Sequence, residues 1–208
     1  MTKTFSDWGF ARVALMGRSI RYNSDVTNKM GIGWGVNGNF KARIDDKSYV
    51  MVQGLAGAGI AGSYTLSGEL FGNGGAGNMY DGLYNQQGDF KTVPVVGGSA
   101  GIEYFFGAHK QLHTNLVLGY NRMSYTATPS WLVHSGVVND NAAGDFVRYN
   151  TAGTTQINLL YASLNAMYDI TRNFSVGVEY NTGYKQIVNT VSHTAAVNRV
   201  AAGIMVGF

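Results

Sequence analysis

The chain has 208 residues with 29 Gly, 13 Tyr, 10 Phe, 2 Pro and no Cys, and 13% of its residues are charged, about half the share of a soluble globular domain. The lack of cysteine excludes a disulfide scaffold and thiolate metal sites. Two prolines with 45% hydrophobic residues argue against disorder, and a scattered net charge of +3 gives no footprint for nucleic acid.

A membrane helix needs about 18 consecutive apolar residues; Val50–Tyr64 comes nearest, but Gln53 and several glycines interrupt it. The start, Met1-Thr-Lys-Thr-Phe-Ser-Asp-Trp8, lacks the apolar run of a secretory signal. For an exported protein the sequence is then a mature form, a form made for refolding, or a fragment.

Period-2 alternation recurs and sustained 3.6-residue periodicity does not, which predicts eight strands at about 8–22, 30–44, 48–64, 94–106, 111–125, 156–170, 174–187 and 196–208. These exceed the usual soluble strand of about five or six residues and match a tilted membrane strand of about 9–11. The second places Ile32, Trp34, Val36, Phe40 and Ile44 against Gly33, Gly35, Asn37, Asn39, Lys41 and Arg43. In the third, Val50/Val52 and Met51/Leu55 compete for the apolar face. The seventh sets Phe174, Val176, Val178, Tyr180 and Tyr184 against Ser175, Gly177, Glu179, Asn181 and Lys185. The eighth sets Val200, Ala202, Ile204, Val206 and Phe208 against Arg199, Ala201, Gly203, Met205 and Gly207. A soluble sandwich also alternates. What favours a membrane is Tyr104, Phe106, Tyr120, Tyr168, Phe174 and Phe208 near strand ends on the apolar face, as in interfacial girdles.

Connections after the second, fourth and sixth strands are short, and the other four are longer, with two very long ones at 65–93 and 126–155. Short turns at one end and long loops at the other characterise outer-membrane barrels. The fold class is therefore all-β: one domain over 1–208, a transmembrane antiparallel β-barrel of the outer-membrane type, with both ends on the periplasmic side.

Two stretches fit G-x-G-x-x-G, Gly57–Gly62 and Gly72–Gly77. A nucleotide site needs a helix opening at the third glycine, and neither stretch provides one. The run of Gly and Ala from Gly54 to Gly62 suits either close approach of another subunit or relief of crowding inside a barrel. His109, His113, His134 and His193 lack the spacing of a metal site, so no metal or cofactor is expected. No Ser/His/Asp set stands out, and no enzyme is expected.

The charges of the polar faces carry more. Arg12, Arg18, Lys41, Arg43, Lys185 and Arg199, with Glu103 and Glu179 as the clear acids, are the candidate pore-lining residues. A row of like charges inside a closed wall is costly unless water fills the space. The surplus predicts a mild preference for small anions, with Arg18 and Arg199 contributing most.

Several stretches in order resemble the DcaP-like trimeric porins of Gram-negative outer membranes. They are Phe10-Ala-Arg-Val-Ala-Leu-Met-Gly-Arg-Ser-Ile-Arg-Tyr22, Gly33-Trp-Gly35, Gly57-Ala-Gly-Ile-Ala-Gly-Ser-Tyr64 and Gly88-Asp-Phe-Lys-Thr-Val-Pro94. Gly97-Gly98, Glu103-Tyr-Phe-Phe106, Asn115-Leu-Val-Leu-Gly-Tyr120, Gly177-Val-Glu-Tyr180 and Asn198-Arg199 follow. The chain is similar to the C-terminal half of that family, whose barrels close with sixteen strands. The resemblance implies passive uptake of small, often anionic solutes such as carboxylates, homotrimers in outer-membrane lipid, and loops folded into the lumen. A long loop with Trp131 and Phe146, and alanines where the family has a polar cluster near Gly57–Tyr64, depart from it. The alternative is a small closed eight-strand outer-membrane barrel with a structural or surface-interaction role. Long basic side chains and many glycines on the inner faces weigh against that filled interior, and predict that eight strands act with further ones.

Overall fold

A computed structural model describes residues 1–5, 7–23, 28–60, 81–84, 90–127, 153–188 and 192–207. Most of both long connections, the Gly72–Gly77 match, Trp131, His134, Phe146, Phe208 and the side chain of His193 lie outside the described residues. Within them the regular elements are all strands: β1 Thr2–Phe5, β2 Gly9–Asn23, β3 Asn28–Arg43, β4 Ser48–Ala58, β5 Gly82–Tyr84, β6 Phe90–Thr92, β7 Pro94–Phe106, β8 Leu112–Ala127, β9 Gly153–Thr171, β10 Phe174–Val188 and β11 Ser192–Val206. Nine form one antiparallel sheet in the order β1-β2-β3-β4-β7-β8-β9-β10-β11, and β5 and β6 make a separate hairpin. The eight long strands run from 11 to 19 residues, and each pairs with its sequence neighbour among them. Among the described residues β2 and β11 do not pair, so the sheet is open, unlike the closed eight-strand alternative.

Register confirms the alternation. Val36, Ala56, Val96 and Arg122 share one row and one face, while Asn39, Gln53, Ser99 and Gly119 share a row on the other. The contest in β4 resolves for Val50/Val52: Val52 is exposed on the apolar face and Leu55 is buried on the opposite one. The apolar face carries Leu15, Ile32, Leu118, Leu160, Val178 and Val200, all exposed.

Three sequence expectations are corrected. The strand read as 48–64 stops at Ala58, because Gly59 takes φ +70° and turns the chain. Thr2–Phe5 is a strand, paired with β2 from Arg12 to Gly9. The connections 24–27 and 189–191 are as short as the turn 44–47, because β3 and β11 begin earlier than their side-chain patterns indicate. The length asymmetry thus rests on the two long connections alone.

The 44–47 turn is held by Asp45, whose Oδ1 accepts the Lys47 N–H at 2.7 Å and the Ser48 hydroxyl at 2.7 Å. Asp46 pairs with Arg43, and its carbonyl accepts Lys110 Nζ from the neighbouring turn. The Ser48 hydroxyl first, then the Lys47 amide, pull the Asp45 carboxyl below its ordinary 3.8. A depressed carboxylate stabilises the fold above its unfolded value and loses that contribution as pH falls through the folded one. Hydrogen exchange of the Lys47 amide should therefore lose protection below about pH 4, whereas in Asp45→Asn the protection should be weaker at neutral pH and flat in this range.

Candidate functional site

The polar face is tiered along the strands. Nearest the short turns, one row carries Tyr49, Glu103, Asn115, Asn165 and Glu179 from β4, β7, β8, β9 and β10. Glu103 is shared there: Lys41 Nζ lies 3.8 Å from Oε2 and His113 Nδ1 lies 3.5 Å from Oε1. Lys41 also sits over the Tyr49 ring at 4.7 Å, and Phe105 packs against both Tyr49 and His113. Among the described residues buried His113 Nδ1 has no hydrogen-bond partner, so its contact with Glu103 falls short of a hydrogen bond. Glu179 accepts from Asn181 Nδ2 at 2.5 Å and from the Ser163 hydroxyl at 3.5 Å. Asp169, which the sequence reading missed, accepts the Ser175 hydroxyl at 2.6 Å.

The middle tier is polar. Arg12 stands level with Asn39, Gln53 and Ser99, and Arg199 level with Asn181 and Ser163. Both arginines are exposed, Arg199 on the outer strand β11 and Arg12 on β2 beside β1, and neither makes an ion pair among the described residues.

The upper tier is apolar. Leu55, Val95, Met123, Ile157, Leu159 and Ile187 form a buried cluster capped by Ile60 and Val93, with Met16 beside it. Lys185 lies level with Leu159 and is 7% exposed. Arg18 lies above this cluster and pairs with Asp81 at 2.9 Å. Alternation alone does not reveal this tier, because its signal is the replacement of polar by aliphatic residues at the same parity: Leu55, Met123, Ile157 and Ile187.

Of the eight candidate residues, the structure places all on one face of the sheet and brings Lys41 to Glu103. It joins Arg18 to Asp81 and Arg43 to Asp46, buries Lys185, and leaves Arg12 and Arg199 open. The glycines Gly57 and Gly59 of the first nucleotide-like motif end a strand and begin a turn, with no helix following among the described residues. No group of three or more His, Cys, Asp or Glu side chains gathers as metal ligands among the described residues.

On the apolar face, tyrosines mark both borders. Tyr104, Phe106 and Tyr168 lie near the short turns, and the Tyr120 hydroxyl donates to Asn158 at 2.7 Å toward the other end, while Tyr180, level with Leu164 in mid-strand, donates to Asn198 at 2.8 Å. Ten residues of β9 separate Tyr168 from Asn158. At about 3.3 Å per residue and a tilt of about 40°, this spans about 25 Å, the height of an outer-membrane barrel's apolar band.

No protein-family model and no curated protein matches the chain. Among solved structures it is similar to the outer membrane channel DcaP of Acinetobacter baumannii, with a TM-score of 0.62 and 16% identity over 100% of this chain and 49% of that one. The chain spans about half the length of that channel, and at this identity the likeness is one of fold: an antiparallel sheet of the outer-membrane channel type.

Removing the shared carboxylate tests the lower tier. Glu103→Gln should lower stability by about 1 kcal/mol, measured by urea unfolding in detergent, because its ion pair with Lys41 is long and part-buried. Lys41→Met should cost less in the Glu103→Gln background than in the parent chain, as a double-mutant cycle reports for coupled charges.

Proposed function

We propose that the chain forms about half the wall of a porin-like diffusion channel in a bacterial outer membrane, closed by further antiparallel strands. The observation that carries this reading is an exposed, largely apolar face on an open sheet whose opposite face holds all eight candidate charges, on β2, β3, β7, β10 and β11. In water so large an apolar patch is an aggregation liability; against lipid it is the matching surface. The fold likeness to the DcaP channel supports the same reading.

The finer terms are small solutes, a mild preference for anions such as carboxylates, and a homotrimer in a Gram-negative outer membrane. Anion preference is supported by Arg12 and Arg199, the candidate cations left open to solvent. Close association of subunits is supported by Gly38, Gly54 and Gly98, which stand side by side across β3, β4 and β7 on the apolar face and leave it without side chains there. A channel, not an enzyme, is the function proposed, with no cofactor.

Adjacent residues on β9 give a direct test of membrane placement. Leu164, on the apolar face, is 50% exposed, and Ser163 faces the polar side. On refolding into lipid vesicles, Leu164→Arg should cost about 2–4 kcal/mol, as arginine does at the bilayer midplane, whereas Ser163→Arg should cost less than about 1 kcal/mol. Equal tolerance of both substitutions overturns the membrane reading.

Selectivity has its own measurement. The assembled channel in a planar bilayer should show a reversal potential of the anion-preferring sign under a salt gradient. Arg12→Ala with Arg199→Ala should move it toward cations more than Arg18→Ala does, because Arg18 is already paired with a carboxylate.

A further inference from the structure

The glycines of the sheet fall into two groups with different surroundings. On the apolar face, a Cβ added to Gly17, Gly38 or Gly54 meets nothing within 4 Å among the described residues. On the polar face, β3 reads Gly31-Ile-Gly33-Trp-Gly35, and these glycines are occupied from above. A Cβ on Gly33 would lie 2.6 Å from the Gly59 carbonyl oxygen, and one on Gly35 would lie 2.7 Å from Ile60 Cδ1. Gly57 of β4 faces the same Ile60 methyl at 2.7 Å, and the Phe90 ring of β6 covers the space a side chain at Gly31 would need.

What rests there is tied to itself and to the wall. The Gly59 N–H donates to the Val93 carbonyl and the Val93 N–H donates to the Asp81 carbonyl, both at 3.0 Å. Ile60 and Val93 are 0% and 1% exposed. Asp81, immediately before β5, receives the Arg18 guanidinium of β2 at 2.9 Å. Backbone, side-chain packing and one ion pair thus converge on a segment crossing a surface that lacks side chains.

We propose that Gly31, Gly33, Gly35 and Gly57 form a seat for the β5–β6 hairpin, with Arg18–Asp81 as its clasp. Arg18 is then a positioning residue for the hairpin, not a cation that receives solute. The physical argument is one of height. At Gly33 a Cβ meets the backbone of the covering segment, and at Gly31 and Gly35 it meets the Phe90 ring and the Ile60 methyl, so side chains there push the second layer off the wall, whereas glycine lets it approach closely; at Gly57 a Cβ meets the Trp34 carbonyl of β3 as well as the Ile60 methyl. The clasp supplies what glycine contact lacks: direction, through a charge-assisted hydrogen bond between part-buried groups. The consequence for flux, that the seated hairpin narrows the path along the polar face, rests on the channel reading above; the seat itself does not.

The experiment uses the full chain folded in detergent, with folding of each variant verified by its shift in gel mobility on heating. Hydrogen exchange of the Gly59 and Val93 amides and trypsin cleavage after Lys91 report whether the hairpin is seated. Gly33→Ala, Arg18→Ala and Asp81→Asn should each raise both rates about tenfold, the effect of losing a charge-assisted hydrogen bond. Gly54→Ala, the same change on the opposite face, should leave them unchanged, and Arg18→Asp with Asp81→Arg should restore slow exchange. Parent rates in both Gly33→Ala and Arg18→Ala overturn the proposal, as does equal acceleration by Gly54→Ala. A variant that fails to fold is replaced in the comparison by either of the other two, which act on the same seat. Protected amides in the chain, with no ion conduction by the assembly completed with its further strands, would retain the seat and sink the channel reading; fast amides with a conducting assembly would do the reverse.

Discussion

Backbone N–H and C=O groups placed in hydrocarbon have no water to bond, and each one left unpaired costs several kcal/mol. On the channel reading proposed above, the long ladders of this sheet answer that constraint. Every strand from β3 to β10 in the main sheet is paired along both edges, while β2 and β11 each have one complete neighbour. β1 covers only the Gly9–Arg12 end of the outer edge of β2, and Met1 adds bonds to Val13 at 2.8 and 2.9 Å. On the same reading, the rest of that edge and the outer edge of β11 are where the wall continues. Because β2 and β11 run in opposite directions, an even number of added antiparallel strands closes the ring without a parallel pair.

The faces follow from that ladder. Pleating sends successive side chains to opposite sides, so one face can be uniformly apolar while the other varies in tiers. The lower tier pairs part of its charge locally, Lys41 with Glu103 and Arg43 with Asp46, and hydrogen-bonds the carboxylates of Glu179 and Asp169 to Asn181, Ser163 and Ser175. The upper tier replaces charge by a packed aliphatic cluster under Ile60 and Val93. The covered part of the wall is thus mostly aliphatic, and the charges that remain there are Lys185, buried level with Leu159, and the part-buried Arg18–Asp81 pair that ties the second layer down.

Strand positions were legible in the sequence because a side-chain period of two survives in any environment that differs on the two faces; β7 matches its expected 94–106 span to the residue. What was not legible depends on contacts between residues far apart in sequence. Gly59 looked like the middle of a strand, since its positive φ is invisible in composition. Thr2–Phe5 is too short to show a period, and its pairing is set by β2. Asp81 sits 63 residues from Arg18, so the sequence counted Arg18 as a lumen charge and omitted the acid that answers it. The two readings of the Gly/Ala run were both physically sound. Gly57 serves close packing on the polar face and Gly54 leaves the apolar face flat, because adjacent glycines of different parity face opposite worlds.

The count of basic residues is therefore a poor guide to the field along the polar face. An ion pair at about 3 Å presents a dipole to anything several ångströms away, and its potential falls off faster than that of a single charge, before salt screens it further over about 8 Å. Arg18 with Asp81, Lys41 with Glu103 and Arg43 with Asp46 are such dipoles. Lys185 is buried, so its field reaches solvent through neighbouring protein. Arg12 and Arg199 remain as exposed single charges: Arg199 stands on the outer strand β11, and Arg12 stands on β2 opposite Thr2 of β1. On the channel reading proposed above, the outer edge of β11 meets a strand that closes the wall, whereas Arg12 already has a neighbouring strand on each side. The field along the path then depends on whether the closing strands bring acids near these two guanidinium groups or leave them facing water.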